Sequence, residues 1–430
     1  MSHLSVTAAR IAVVVATASV AACGIGSTGT PDTGTTAGPS GTPIRVGISV
    51  SLKGDFKADG EASLRGYQLW ASDVNSHGGL LGRPVKLVVL TDNSDPNTAA
   101  RNYATLITQD HVDLTLGPFS SLLTLPSARV AHRYGYAMVE GSGTAPTVYA
   151  ASLKNLFGVS APVANQLVPF ADWVAELPLG SRPRTAAYAM VADQFADPPV
   201  KTAQASLEKA GVTTVYSNAS APYTDTSPAA LAADARQVAA QNPQIVVIGS
   251  VDLPTVSAFI NEFKKLRFNP RMLIATSGPD QGQAFLKAIG PPSNADGIMV
   301  PNGWYGGFSD ALSHVMVQEY IARYGGTTSD INADVAEAYS AGQVMADAVQ
   351  SAGLSQAKII DFLHSGVVID TVQGPASWDR YVAKQPSGQN TKAVSFVFQW
   401  QPVGNFVQVL SSAGAPSTSI IPQKEVWTSS

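Results

Sequence analysis

The chain is short of sulfur and of charge, and it has no long apolar stretch beyond its first residues. Each shortage excludes something. One cysteine, Cys23, stands among 430 residues, so no internal disulfide can form and the fold must hold through core burial. Charged side chains make up only 13% and the formal net charge is -4. With no basic run and no interleaving of aromatic and basic residues, nucleic acid is not an expected partner. After residue 43 no apolar segment approaches the roughly 20 residues of a membrane span. The six histidines are scattered, and there is no His-Glu-x-x-His helix, no Gly-x-Ser-x-Gly elbow and no Cys-x-x-Cys pair. No metal, no cofactor and no catalytic nucleophile are therefore expected.

What is present begins with a leader. Arg10 precedes the apolar run Ile11 to Ala22, which has the length of a signal-peptide core. Val20-Ala21-Ala22-Cys23 resembles a bacterial lipobox, so residues 1–22 read as a signal peptide and Cys23 as an acylated thiol, with two chains giving stable anchoring. An ordinary secreted protein cut near Ala22, with an incidental cysteine, is the plainer alternative. Gly24-Ile25-Gly26-Ser27-Thr28-Gly29 carries the letters of a dinucleotide fingerprint. That fingerprint needs a helix starting at its last glycine, whereas the chain continues as Gly, Thr, Pro and Ser to Pro43. This is a linker; at about 5 to 6 Å times the square root of its length, it would hold a body roughly 25 Å from the membrane.

From Ile44 onward, short β-branched runs alternate with amphipathic stretches. IRVGISVSL, VKLVVLTD, DLTLGP and YAMVEG are separated by helices predicted near 62–75, 98–109 and 126–134. The pattern restarts after residue 160 with TAAYAMV, TTVYSNA, IVVIGS, RMLIAT and GIMVP, and long helices follow near 309–324 and 333–352. Such alternation predicts α/β architecture, two Rossmann-like lobes with mainly parallel sheets. Ligands of such sheets sit at the carboxyl ends of strands, so two facing lobes make a cleft.

Several segments carry a resemblance: Asn75-Ser76-His77-Gly78-Gly79-Leu80-Leu81-Gly82-Arg83, Asp92-Asn93-Ser94-Asp95-Pro96, Gly117-Pro118-Phe119-Ser120-Ser121, Ala338-Tyr339-Ser340-Ala341 and Gln373-Gly374-Pro375-Ala376-Ser377-Trp378-Asp379. Together they resemble the periplasmic Leu/Ile/Val-binding family, the receptor subunits of branched-chain amino-acid ABC importers. The resemblance implies a type I periplasmic binding fold whose lobes are joined by three hinge crossovers, expected near 158–162, 249–252 and 367–374. Lobe one would then be 44–159 plus 252–368, and lobe two 160–251 plus 369–430. It also implies a small-molecule ligand (an amino acid or carboxylate), ABC permease subunits as partners, a membrane reached through the lipid anchor, and a monomer.

The same resemblance places the ligand carboxylate at Ser121, Ser142 (through its backbone) and Thr144. Hydroxyls and free N–H groups at a helix start suit an anion, although Ser120, Ser121 and Thr124 would serve equally as helix caps. For the ammonium, the candidates are Asp280, with Ser277 at the better spacing, Phe195, and the Val251-Asp252 pair. Val251 stands where the family has an aromatic, and Asp252 reads more simply as an N-cap. Asp59 and Glu140 are expected to be solvated, and Trp304 and Tyr305 to form either a lid or hinge-side packing. Some relatives carry a disulfide where this chain has Ser94 and Ser120. The function expected is capture of a branched-chain or related small amino acid or carboxylate for import. A sensor of the same fold, or an importer component for amides or aromatic acids, is the alternative.

Overall fold

The computed structural model describes residues 38–417 and 419–428. The expected signal peptide, Cys23 and the linker as far as residue 37 lie outside the described residues. The last linker residues are tied to the body: Ser40 N–H donates to the Gly82 carbonyl at 3.0 Å, and Arg83 Nε donates to that of Thr42 at 2.7 Å.

Two large sheets divide the body. The first has the order β2-β1-β3-β4-β5, with β1 Ile44–Val50, β2 Val85–Thr91, β3 Leu114–Leu116, β4 Met138–Glu140 and β5 Leu156–Gly158, all parallel. The second has the order β14-β13-β10-β9-β8-β6-β7, with β6 Thr185–Met190, β7 Thr213–Ser217, β8 Ile245–Gly249, β9 Met272–Ala275, β10 Ile298–Asn302, β13 Phe396–Gln401 and β14 Asn405–Ser411. Strands β6 to β10 are parallel, and β13 and β14 close the edge antiparallel. A short pair, β11 Ile369–Thr371 and β12 Gly374–Ala376, stands apart.

Most helices fall near where the periodicity places them, and two short ones, at 146–150 and 356–363, are additions to it. In chain order they are α1 Lys57–Ser76, α2 Pro96–Thr108, α3 Ser121–Arg133, α4 Pro146–Ala150, α5 Val168–Glu176, α6 Asp197–Lys209, α7 Pro228–Ala240, α8 Leu253–Lys265, α9 Gly282–Ile289, α10 Ala311–Tyr324, α11 Ala333–Ala352 and α12 Gln356–Leu363. Their starts have local causes: Asp95, Ser227, Asp252 and Asp310 each accept a backbone N–H of the first turn, removing one orphan donor. Asp252 is thus an N-cap. Asp95 belongs to the Asp92–Pro96 segment, whose other acid, Asp92, is buried and held by Ser49 Oγ at 2.9 Å and Ser51 Oγ at 2.5 Å. That segment is structural.

The lobe boundaries expected from the sequence need correction. β9 and β10 pair with β8 and with each other, so residues 252–302 belong to the second sheet and not with 44–159. The chain returns to the first lobe only after β10, through 303–310, rather than at 249–252. Its third passage follows β12, because Ile369, Val372, Ala376 and Trp378 share one apolar core with β1 and α11. The first passage follows β5 and Val163, which still packs in a first-lobe core, and Leu167 is already in a second-lobe core. The physical reason is that every βα unit has the same apolar rhythm, and strand pairing alone decides which sheet it joins. Trp304 accordingly lies in the first lobe's core, donating from Nε1 to Ser313 Oγ at 3.0 Å.

In that core, α1 and α11 cross so closely that a Cβ on Gly66 would overlap the Val335 carbonyl, and one on Gly342 would overlap the Trp70 ring. This contact fixes the first turns of both helices beside each other.

Candidate functional site

Loops at the carboxyl ends of both sheets meet at one cleft, as open parallel sheets require. It encloses a cavity of about 60 Å³, inside a wider space of about 660 Å³ that takes in open solvent. All six residues singled out from the sequence line it: Ser121, Ser142 and Thr144 from the first lobe, and Phe195, Val251 and Asp280 from the second. Ser277, the alternative to Asp280, lines it too.

The first-lobe wall begins at α3. Ser120, its N-cap, has φ of 70°, a conformation few non-glycine residues adopt. Its hydroxyl has no partner. The Ser121 hydroxyl accepts from Ala145 N–H at 3.0 Å, joining the helix start to the loop after β4. In that loop the Thr144 side chain is 3% exposed and its Oγ1 has no hydrogen-bond partner. Gln166, 8% exposed, likewise leaves Oε1 without one. A dehydrated hydroxyl or amide costs free energy unless something satisfies it, so both mark places that a ligand completes.

The Ser142 hydroxyl is engaged differently from the expectation of a backbone contact: it donates to Glu337 Oε2 at 2.5 Å. Gly141 permits this approach, since a Cβ there would lie 2.8 Å from the Glu337 backbone. Asp334 sits in the first turn of α11, Glu337 three residues further along it, and Asp59 in the first turn of α1, and all three line the cavity.

From the second lobe, Asp280 accepts from Gly278 N–H and Asn302 Nδ2, each at 2.9 Å, and Asp193 accepts from Phe195 N–H at 2.6 Å. Rings and apolar groups fill the remaining wall, with Phe56 and Phe119 edge to face at 5.4 Å between centroids. Val251 packs against these first-lobe rings. Two hydrogen bonds tie the lobes across the cleft, Gln281 Nε2 to Asp59 Oδ1 at 2.7 Å and Thr147 Oγ1 to Gln194 Oε1 at 2.6 Å.

The cavity's electrostatics are one-sided. Asp59, Asp193, Asp280, Asp334 and Glu337 line it, with no lysine, arginine or histidine among the lining residues. Burial, followed by the charge of Asp280, pushes the Asp59 carboxyl up to about 7. Burial pushes Glu337 up to about 8, with Glu140 and Asp280 adding to it. Asp334 is raised well above the usual carboxylate range by burial, then by Asp59 and Glu337. Asp280 and Asp193 are raised by burial. Each is the response of an acid short of water and of cations.

Two expectations of solvated acids are therefore overturned. Asp59 is 4% exposed and faces the cavity. Glu140 is fully buried behind the loop after β4, where it accepts from Tyr149 Oη at 2.7 Å and from Gly143 N–H; burial pushes it up to about 7. Sequence reasoning also missed Asp334, Glu337, Asp193 and Gln166. Asp334 and Glu337 did offer a signal, three residues apart at a predicted helix start, but acids there ordinarily complement the helix dipole.

Residues 43–403 match the family model described as periplasmic binding protein. An amino acid binding protein of Pseudomonas aeruginosa is 23% identical over 378 residues, 85% of this chain and 92% of the relative. Among solved structures, the fold is shared with the branched-chain amino acid transporter substrate-binding protein LivJ from Streptococcus pneumoniae in complex with isoleucine. That likeness has a TM-score of 0.71 at 18% identity and covers 86% of this chain and all of that one. A solute-binding protein of an ABC transporter from R. palustris in complex with benzoate gives a TM-score of 0.71 at 17% identity, covering 89% of this chain and 100% of that one.

Proposed function

The chain belongs to the periplasmic binding protein family, and from that premise we propose that it is the solute-capturing component of an ABC importer, taking a small amino acid or related solute in the cleft between its lobes. The observation that carries this reading is the convergence on one cavity of strand-end loops from both sheets, with Thr144 Oγ1 and Gln166 Oε1 left without partners there. Asp280, held by Gly278 and Asn302, is the partner of a ligand ammonium. Ser120, Ser121 and Thr144 are the polar groups of the opposite wall. Capture is a shift from open to closed lobes, since only the closed arrangement brings Asp59 and Gln281 together, and the solute leaves unchanged.

Membership of this family goes with an extracytoplasmic location. Export by the 1–22 leader, acylation of Cys23, delivery to permease subunits and a monomeric state complete the proposal; the leader and the lipobox-like Val20 to Cys23 support its first two parts. A thermal-shift screen of amino acids, amides and carboxylic acids tests the role. A ligand at 100 times its dissociation constant should stabilise the protein by about 2.7 kcal/mol, and the shift should vanish in Ser277→Trp, which puts a large ring into the cavity. A ligand whose shift survives that substitution binds elsewhere and refutes the assignment.

A further inference from the structure

The cavity holds more acidic groups than one ammonium group answers. Of its lining residues Asp59, Asp334 and Glu337 come from one lobe and Asp193 and Asp280 from the other, and no basic side chain lines it. A monoamino monocarboxylic acid has no net charge, so its carboxylate would add to the repulsion that its ammonium relieves. An aromatic carboxylate would add charge and relieve none. Closing the lobes makes the problem worse, since it removes water from acids that already interact: the charge of Asp280 opposes ionisation of Asp59, Asp334 and Glu337, and that of Asp59 opposes ionisation of Asp334 and Glu337.

An inorganic cation does not fit the arrangement. Among the described residues no three or more His, Cys, Asp or Glu side chains converge as a metal site requires. The acids are spread around the cavity wall, near the starts of α1 and α11 on one side and after β6 and β9 on the other. Between them stand the Phe56, Phe119 and Phe195 rings, which suit a methylene stem and offer π-faces to a cation. The unpartnered Gln166 Oε1 and Thr144 Oγ1, both more than nine-tenths buried, add oxygen acceptors for N–H groups.

Resting on the cleft reading above, we infer that the ligand is a small organic dication, a molecule with two ammonium or guanidinium groups on a short apolar stem and a net positive charge. Two sources share this chemistry, a diamino acid and a simple diamine. On binding, the cationic groups pair with Asp280 on one lobe and with the Asp59, Asp334 and Glu337 group on the other, so the ligand replaces the repulsion that opposes closure with attraction. The carboxylates must ionise to do this. Those facing the ligand are Asp59 from α1, Asp334 and Glu337 from α11, Asp193 after β6 and Asp280 after β9, with Glu140 behind the β4 loop; binding therefore releases protons and strengthens as pH rises.

Isothermal titration calorimetry of the full-length protein at pH 6.0 and about 8.5, in two buffers of different ionisation enthalpy, tests this with L-lysine, L-arginine, 1,4-diaminobutane, L-leucine, benzoate and calcium chloride. The expected result is that at least one dication binds tenfold or more tighter than L-leucine and benzoate. Its affinity should rise about tenfold over that pH range with release of protons. Glu337→Gln and Asp334→Asn should each weaken the dication about tenfold while affecting any L-leucine binding less. L-lysine or L-arginine binding tighter than 1,4-diaminobutane assigns a diamino acid, and the reverse a diamine. Tighter binding of L-leucine or benzoate overturns the charge inference and leaves the capture role standing. Tighter binding of calcium overturns it in favour of a metal site. No binding by any probe at millimolar concentration overturns both.

Discussion

Replacing Asp59 with asparagine should stabilise the protein with its lobes closed as described above, and only at neutral to alkaline pH. The Asp59 carboxyl is raised from 3.8 to about 7, chiefly by burial and next by Asp280. Between those values the native state holds the proton more tightly than the unfolded chain does. The slope of unfolding free energy against pH is set by protons bound unfolded minus protons bound native, so it is negative here: the contribution is complete below about pH 4 and lost as pH rises through about 7. Three pH units at about 1.4 kcal/mol each give an upper limit near 4 kcal/mol. Because Asp334 interacts with the same carboxyl, about 2 to 4 kcal/mol is the reasonable range. Asparagine keeps the volume and an oxygen for Gln281 Nε2, 2.7 Å away, and cannot ionise. Urea denaturation of Asp59→Asn and the parent should give nearly equal stabilities at pH 4.5 and a gap of about 2 to 4 kcal/mol in favour of the variant at pH 8.5. A variant no more stable than the parent at pH 8.5, or equally favoured at both pH values, would refute the argument that this acid is dehydrated and crowded by like charge.

Three other outcomes follow from the same geometry. Thr144→Val exchanges an unpartnered buried hydroxyl for a methyl, so it should leave the ligand-free protein as stable or about 1 kcal/mol more so, yet weaken the best ligand by about 1 to 3 kcal/mol. Calorimetric affinity equal to the parent's would remove Thr144 from the site. Asp252→Ala should cost about 1 kcal/mol of stability through loss of the α8 cap without changing ligand affinity; a tenfold weaker ligand would instead make Asp252 an ammonium partner. Gly66→Ala pushes α1 from α11 at the Val335 carbonyl and should destabilise the first lobe by about 2 kcal/mol or more. It should also weaken the ligand, because Asp59 and Asp334 ride on those helices; an unchanged melting temperature would show that the crossing yields.

The sequence determined a great deal by itself. Apolar rhythm located most strands and helices of the repeating βα pattern, though not β5 or the short α4, and Asp252 read as a helix cap, because both signals act between neighbours in the chain. The resemblance then located residues on both walls of the cleft: Ser121, Ser142, Thr144, Phe195, Val251 and Asp280 all line one cavity. Other features became legible only in three dimensions. Residues 252–302 carry the same rhythm as their neighbours, and only the β8-β9 and β9-β10 pairings assign them to the second sheet. Asp59, like Glu140, read as a solvated acid, and Asp193, Asp334 and Glu337 were not singled out, since a carboxylate's neighbours along the chain say nothing about its access to water. Their crowding into one dehydrated space depends on α1 meeting α11 at Gly66 and on the second lobe closing over both. Charge is a long-range quantity, so what this cleft is charged to receive was decided by the tertiary structure alone.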